Sequence, residues 1–217
     1  MKRWALLATF LLLAGAANAR LELSVHVTRT SFDLLDALAI SVAVDNPNGP
    51  QSLRFPSSAE YVIEVARGSH VLWTSPTPGG ETTPHSRPFP SGLTPLGTFE
   101  WSAVLRDGSS PSPGDYTITA RLLADHTQPS ASARVRFIAP LPITAIAHLK
   151  PGDEITVGGT VDASLQLLTD ATGHVALSRR LTGAANTPVV VRGSIATRPD
   201  GSRYLDVARW ATVQPAS

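Results

Sequence analysis

The stretch Tyr116-Thr117-Ile118-Thr119-Ala120-Arg121-Leu122 alternates apolar and polar side chains without a break. A period of two places one set of side chains on the buried face of a strand and leaves the other set in water, as antiparallel sheets require. The pattern recurs between residues 20 and 138. Its other members are Leu21 to Val27, Leu38 to Val44, Tyr61 to Val65, Val71 to Trp73, Val135 to Phe137 and a less regular segment from Trp101 to Val104. Several short strands at this spacing predict an antiparallel β-sandwich.

The segments between these strands are rich in turn-forming residues, as in Asn46–Pro50 and Ser112–Asp115. The stretch from Thr74 to Thr94 is longer and is dense in Pro, Gly, Ser and Thr. It predicts a long surface loop, a type of segment that often carries function. Phe89 is its one aromatic residue, and two interpretations stay open. The ring either folds back onto the sheet as a plug or forms an exposed recognition tip.

A second series of strands follows a boundary at Ala139-Pro140-Leu141-Pro142, where two prolines interrupt strand pairing. Its apolar runs centre on Ile155–Val157, Leu165–Leu168, Val175–Leu177, Pro188–Val191 and Tyr204–Val207. About five strands in roughly 65 residues suit a small closed barrel better than a sandwich. The sequence therefore predicts an all-β chain with a sandwich domain at 20–138, a linker at 139–150 and a barrel domain at 151–214.

The first 19 residues have the features of a signal peptide. Lys2 and Arg3 form a basic start, and Trp4 to Ala14 is an apolar run too short to span a bilayer comfortably. Ala17-Asn18-Ala19 is a small-x-small cleavage site, so we expect cleavage after Ala19; an uncleaved membrane anchor is the alternative. No other stretch is long and apolar enough to cross a bilayer. The expected location is periplasmic, cell-envelope or secreted, with no stable membrane span after cleavage.

The first domain carries an ordered series of motifs. Leu53, then Phe55-Pro56-Ser57, then Tyr61 precede the strand Val71-Leu72-Trp73, and Phe89, Trp101 and Pro113-Gly114-Asp115-Tyr116 follow. This order and spacing resemble the BsuPI family of intracellular proteinase inhibitors over about residues 21 to 138. The resemblance implies an immunoglobulin-like β-sandwich and a role in protein binding. Val62 stands where the family commonly has an acidic residue, and the export signal departs from the intracellular assignment of the family.

These motif residues also have structural interpretations. Trp73, Trp101 and Tyr116 are large enough to form a sandwich core, since an aromatic side chain buries roughly 150–250 Å². The segment Phe55-Pro56-Ser57 suits a core position and a surface motif equally well. Phe55, Pro56, Ser57 and Phe89 are therefore the candidate protein-binding residues.

The second domain resembles a bacterial OB-fold, on three glycine-containing segments and a later strand. These are Val157–Val161, Leu168–Gly173, Val189–Gly193 and Gly201–Val207. OB-folds often bind single-stranded nucleic acid through aromatic side chains on a basic groove. Here Tyr204 and Trp210 are the only aromatics, and four aspartates offset the arginines, so we expect no nucleic-acid binding.

Composition excludes several kinds of chemistry. The chain has no cysteine, which rules out disulfides, thiolate catalysis, cysteine zinc sites and a bacterial lipid anchor, and its net charge is +1. The six histidines are scattered without metal-ligand spacing, and no nucleophile elbow or phosphate-binding loop occurs. Asp33 and Asp36 form a close acidic pair that a solvated turn explains. We therefore expect no enzyme activity, no metal and no cofactor.

The remaining hypotheses both concern proteins as partners. The first is an exported protein-binding module, a proteinase inhibitor of the BsuPI type, whose partner is a protease or an envelope protein. The alternative is a structural cell-envelope protein with no inhibitory activity, for which self-association or co-purification with envelope components is expected.

Overall fold

The structure is a computed structural model that describes residues 21–75 and 83–215. Just over half of these residues lie in strands, and the helix among them is one short 3-10 helix at Ile143–His148. The strands of the first domain are β1 (Glu22–Val27), β2 (Ser31–Phe32), β3 (Leu38–Asn46), β4 (Gln51–Phe55), β5 (Tyr61–Arg67), β6 (His70–Thr74), β7 (His85–Phe89), β8 (Gly92–Trp101), β9 (Gly114–Leu122) and β10 (Ser130–Phe137). Those of the second are β11 (Glu154–Val161), β12 (Leu167–Asp170), β13 (Gly173–Leu177), β14 (Pro188–Thr197) and β15 (Arg203–Thr212). The predicted signal peptide and its cleavage site at Ala19 lie outside the described residues.

The predicted β-sandwich is confirmed. A three-stranded sheet in the order β1-β3-β8 packs on a five-stranded sheet in the order β2-β10-β9-β5-β6. Every pair in these sheets is antiparallel except β2 with β10. The predicted alternation is seen directly in β3 and β9, whose apolar side chains are buried at every second residue. A separate ribbon pairs β4 with β7.

Aromatic side chains fill the space between the two sheets. The Trp101 ring lies 5.6 Å from that of Phe32 in an edge-on contact and 6.2 Å from that of Trp73. The Trp101 indole N–H donates to the carbonyl of Val104 at 2.9 Å, and the Tyr116 hydroxyl donates to the carbonyl of Ser112 at 2.6 Å. Each buried polar tip therefore has a partner, as burial requires. The core positions predicted for Trp101 and Tyr116 are confirmed, and Trp73 packs against the same core while partly exposed.

Two sequence predictions in this domain are wrong. Residues 85–89 and 92–94 of the predicted long loop belong to β7 and β8, and residues 76–82 lie outside the described part. β7 lacked an apolar pattern because its alternate side chains face solvent, and only Phe89 is fully buried. The predicted strand at Trp101–Val104 ends at Trp101, since Ala103 has a φ of 56° and Val104 is exposed.

The second domain is the predicted small barrel, closed by five strands in the order β11-β12-β13-β15-β14. Two glycines permit the close approach of neighbouring strands. A Cβ at Gly193 would stand 2.2 Å from the carbonyl oxygen of Asp206, and one at Gly159 would stand 2.6 Å from that of Thr169. Leu168, Val191 and Leu205 belong to the apolar core that fills the interior.

The segment predicted as a linker contributes to the barrel. Its 3-10 helix buries Ile143 and Ile146 in the barrel core. Arg203 fixes the end of this helix by donating to the carbonyls of Ile146 and Leu149 at 2.7 and 2.9 Å. In the described part of the chain there is no helix of a length and apolarity that would cross a membrane.

Candidate functional site

The β4–β7 ribbon joins the two segments that the sequence singled out. Residues of β4 pair antiparallel with β7 from Gln51 opposite Phe89 to Phe55 opposite His85. The turn Pro56–Ser58 follows β4 directly, so it lies beside the start of β7. Two regions about thirty residues apart in the chain therefore form one structural unit at one end of the sandwich.

Asn46 fastens this ribbon to the sandwich. Its side chain is fully buried at the end of β3, and its amide nitrogen donates to the carbonyls of Gly49, Phe89 and Pro90 at 2.5, 3.0 and 3.2 Å. Its carbonyl oxygen accepts from the Asn48 backbone N–H and from the Gln51 side chain. The one amide thus links β3 to the first residues of β4 and to the end of β7, which fixes the ribbon's position.

Two of the four candidate protein-binding side chains are core residues. Phe55 and Phe89 are both fully buried, with ring centroids 6.4 Å apart, and the Phe55 ring stacks on the His85 imidazole at 5.3 Å. Phe89 is therefore the plug and not an exposed tip. Neither ring offers contact surface to a partner, because both anchor the ribbon to the sandwich. Pro56 is exposed and Ser57 is half-exposed, so these two candidates remain at the surface.

A polar cluster lies between the ribbon and the sandwich. The Glu60 carboxylate accepts from the His85 ring nitrogen Nε2 at 3.1 Å through one oxygen and from the Arg87 guanidinium through the other. Arg87 also donates to the carbonyl of Pro95 at 3.2 Å and places its guanidinium over the Phe89 ring. These three side chains, with Pro56 and Ser57, are called the ribbon site below.

A cavity of about 260 Å³ borders the ribbon site. It is lined by Ser58, Glu60 and Ser75 on its polar side and by Tyr61, Ile63, Leu96 and Phe99 elsewhere. Burial, and next the charge of Glu60, raise the pKa of the Tyr61 hydroxyl above its ordinary value, although the charge of Arg87 opposes the shift. The tyrosine therefore stays neutral at physiological pH and acts here as a hydrogen-bonding and apolar surface.

A second polar site joins the two domains. Arg192 of β14 contacts the Asp33 carboxylate at 2.6 Å and the Asp36 carboxylate at 3.1 Å, and it also donates to the Thr156 hydroxyl. Asp36 is bonded in addition to Arg29 at 2.9 Å. The predicted solvated turn is wrong for Asp33, whose side chain is only 4% exposed. A paired carboxylate tolerates such burial because the guanidinium and backbone N–H groups replace water.

At this junction Asp36 and Arg192 are stabilised in their ionised forms. Burial opposes ionisation of Asp36, but hydrogen bonds from Arg192 and the Asp33 backbone, with the charges of Arg192 and Arg29, leave its pKa lowered. Hydrogen bonding to Asp36 is the main cause that raises the pKa of Arg192. A second link joins the domains through Ser110 and Gln214, whose backbone groups pair at 3.0 Å while the Ser110 hydroxyl accepts the Gln214 N–H at 3.1 Å.

Sequence reasoning missed Glu60, His85, Arg87 and Arg192 as members of a site. Each is a common surface residue type with no motif of its own, and each partner lies 25 residues or more away in the chain. No local pattern marked them, because in β7 only Phe89 is apolar and large, so the strand shows no apolar alternation. No group of three or more His, Asp or Glu residues is placed to hold a metal ion within residues 21–75 and 83–215.

The chain has only distant structural similarity to known proteins. No family model matches the chain, and no curated protein matches it. Among solved structures, it is similar to Spo0M, a sporulation control protein from Bacillus subtilis, at 10% identity and a TM-score of 0.36 over 90% of each chain. It is also similar to the β-glucosidase EmGH1 from Erythrobacter marinus, at 18% identity and a TM-score of 0.32. That match covers 54% of this chain and spans 16% of the glucosidase.

Proposed function

We propose that this chain is an exported protein-binding module whose sandwich contacts its partner through the ribbon site. The observation that carries the proposal is the pairing of β4 with β7, which brings the Phe55–Ser58 and 85–89 segments into one surface. That surface is held from beneath by Asn46, Phe55 and Phe89. A contact surface that is already ordered loses less conformational entropy when a partner binds.

The composition of the ribbon site suits a protein partner. Pro56 of the ribbon site and its neighbours Pro84 and Pro88 are exposed, and their fixed φ angles keep the backbone from losing further freedom on binding. The carboxylate of Glu60 and the guanidinium of Arg87 are held in place by each other and by His85. Fixed polar groups beside apolar surface are typical of protein interfaces. Inhibition of a proteinase, as in the BsuPI family that the first domain resembles, is the more specific form of the proposal.

A capture experiment tests it. The purified chain and a Ser86→Arg variant serve as baits for the envelope and secreted fractions of the source organism. Ser86 is exposed on β7, so arginine there adds bulk and charge to the ribbon without entering the core. Ser69→Arg makes the same chemical change at the exposed β5–β6 turn and is the matched control. Captured proteins are identified by mass spectrometry, and any captured protease is assayed for activity.

The expected result is a partner retained by the parent chain and by S69R and lost by S86R. A protease among those partners, slowed by the parent and unaffected by S86R, supports the inhibitor form. Equal capture by all three baits contradicts binding at the ribbon. The proposed export is tested separately: cleavage after Ala19 would give a secreted chain that begins at Arg20.

The alternative is a structural envelope protein, and the domain junction favours it. Arg192 bonds two carboxylates of the sandwich, and Ser110 pairs with Gln214, so two separate contacts hold the domains in one orientation. A fixed two-domain unit suits a spacer within an assembly. This alternative predicts capture of envelope scaffold proteins to the same extent by the parent chain and by S86R.

A further inference from the structure

The open edges of the sandwich sheets differ in their protection against strand addition. On β8 the edge carries Pro95, and the ladder to β3 is irregular between Val42 and Ala43. On β6 the ladder is irregular as well, and the Leu72 carbonyl already accepts the Arg106 N–H at 3.0 Å. β2 has only two residues. Prolines, bulges and short strands are the usual means by which edges avoid pairing with another chain.

β1 has none of these protections. It is a regular strand of six residues, Glu22–Val27, without proline, lysine, arginine or a register shift. Among the described residues it forms a ladder with β3 alone, so it is the edge of the three-stranded sheet, and β10 of the facing sheet lies close to it. A regular edge strand of this kind is a template for a further strand.

The backbone groups on this edge can be assigned from the ladder. The Thr28 N–H donates to the Ala39 carbonyl at 3.1 Å, in continuation of the β1–β3 register. Hydrogen-bonded and non-hydrogen-bonded pairs alternate along an antiparallel ladder. The N–H and C=O groups of Ser24 and His26 therefore point to β3, and those of Leu23 and Val25 point outward.

The sequence of β1 is complementary to itself about Ser24. Glu22 and His26 are exposed on one face, two residues to either side of Ser24. Leu23 and Val25 lie on the other face and pack in or against the sandwich core. An antiparallel partner strand in the register that sets Ser24 opposite Ser24 would place Glu22 opposite His26 of the second copy. In the same register Leu23 meets Val25 of the second copy, and both carry outward-pointing backbone groups.

We propose that β1 pairs with β1 of a second copy of this chain, across a two-fold axis at Ser24. The two three-stranded sheets then join into one continuous sheet with an apolar inner face. Two Glu–His pairs form across the axis, because a two-fold interface repeats every contact. A parallel arrangement in register would instead set Glu22 beside Glu22. β1 is not part of the ribbon site, so this inference does not rest on the proposed function.

A cysteine at Ser24 tests the register. The chain contains no cysteine, so Ser24→Cys introduces the only thiol. Residues in a non-hydrogen-bonded antiparallel pair have Cα atoms about 4.5 Å apart, within the range that a disulfide spans. Ser132→Cys, on the exposed outer face of β10, is the matched control. We expect S24C to form a covalent dimer under mild oxidation at least ten-fold faster than S132C.

A charge exchange tests the pairing without a cross-link. His26→Glu sets Glu22 opposite a second glutamate at both ends of the interface, and the double variant E22H/H26E restores two opposite pairs with the order reversed. Sedimentation of the purified full chain is expected to show a dimer whose Kd rises about ten-fold in H26E. In E22H/H26E the Kd should return to within about three-fold of the parent value. Thermal unfolding of each variant at monomeric dilution reports whether the fold is intact.

Two results would overturn the proposal. The first is a parent chain that sediments as a monomer at all concentrations while S24C and S132C cross-link at equal rates. The second is a dimer whose Kd is unchanged in H26E, which would place the contact elsewhere. If a strand of a different protein pairs with this edge, S24C cross-links to that protein and not to a second copy of S24C.

Discussion

The sandwich and the barrel are both all-β, but they differ in how their sheets end. In the barrel each strand has two neighbours, and glycines at 159 and 193 allow the close approach that closes the ring. Among the described residues of the sandwich, β1, β8, β2 and β6 lie at sheet edges, and the β4–β7 ribbon stands outside both sheets. Closure removes unpaired backbone groups, whereas open edges keep them available. This difference is the reason why we place the proposed binding surface on the sandwich and not on the barrel.

The two cores differ in the same way. The sandwich core is built around large aromatic rings, with Trp101 in contact with Phe32 and Trp73. The barrel core is mainly aliphatic, with valine, leucine and isoleucine from all five strands. Aromatic residues concentrate the burial of apolar surface in few side chains. The sandwich should therefore depend more heavily on single residues than the barrel does.

The largest expected effect comes from Trp101→Ala. The side chain is 1% exposed, and its loss leaves a cavity against Phe32 and Trp73, so the free energy of unfolding of the sandwich should fall by about 3–5 kcal/mol. Leu205→Ala in the barrel, where the side chain is fully buried, is the matched core deletion and should cost about 2–5 kcal/mol. Hydrogen exchange, measured at increasing denaturant concentration, gives the free energy of unfolding of each domain separately. Loss of protection in the barrel as large as that in the sandwich upon W101A would contradict the proposed division between the domains.

The next effect concerns the junction between the two regions. Arg192→Ala leaves Asp33 buried without its guanidinium partner, so unfolding should become easier by about 2–3 kcal/mol. The pKa of Asp36 should rise at the same time, because Arg192 is a principal cause of its lowering. NMR titration of the carboxylates and denaturant unfolding provide the two readouts.

Arg209→Ala is the control for this change, since Arg209 is the exposed cross-strand neighbour of Arg192 on β15. It should alter stability by less than about 0.5 kcal/mol. In the parent chain the contribution of ionised Asp36 is present above the unfolded pKa of an aspartate and is lost as pH falls through its lowered folded pKa. An R192A variant with unchanged unfolding would show that the junction adds no stability.

The strands with a clear period of two could be predicted from the sequence, and the ribbon could not. The alternation in β3 and β9 indicates one buried face and one solvent-exposed face. In the second domain, the short distances in sequence between apolar runs indicate the five strands of a small barrel. β7 reads His-Ser-Arg-Pro-Phe, and its only large apolar residue is the one that packs inward. Pairing with β4 overrides that weak local preference, as tertiary contacts commonly do in strands.

The candidate site was predictable in its chain segments but not in its side chains. The turn after β4 and the segment around Phe89 were singled out, and the structure brings them together. Their aromatic rings are in the core because a ribbon outside both sheets needs apolar anchors. Glu60 meets His85 and Arg87 only after the chain has folded, since 25 and 27 residues separate them. No local pattern encodes such a contact.

A smaller effect should follow from Asn46→Ala. The buried amide donates to the carbonyls of Phe89 and Pro90, and its removal takes this donor from both of them, at a cost of about 1–3 kcal/mol. The loss should be concentrated in the ribbon, so hydrogen exchange is expected to accelerate at residues 85–89 before other strands. Gln51→Ala removes only one of the bonds to Asn46 and is the control. Uniform acceleration across the sandwich would contradict a clamp that is specific to the ribbon.

The smallest effect concerns Asp170 in the barrel. Its carboxylate accepts from the Thr172 hydroxyl and from the Ile143 backbone N–H, and these bonds lower its pKa to about 2 although desolvation opposes the shift. The carboxylate therefore stabilises the attachment of the 3-10 helix above the unfolded pKa of about 3.9, and that contribution is lost as pH falls to about 2. Asp170→Asn removes this titratable group. The difference in the free energy of unfolding between the parent chain and D170N should therefore shrink as the pH falls through this interval. A constant difference would show that the Asp170 carboxylate adds nothing to the attachment, so that Ile143, Ile146 and the hydrogen bonds from Arg203 hold the helix.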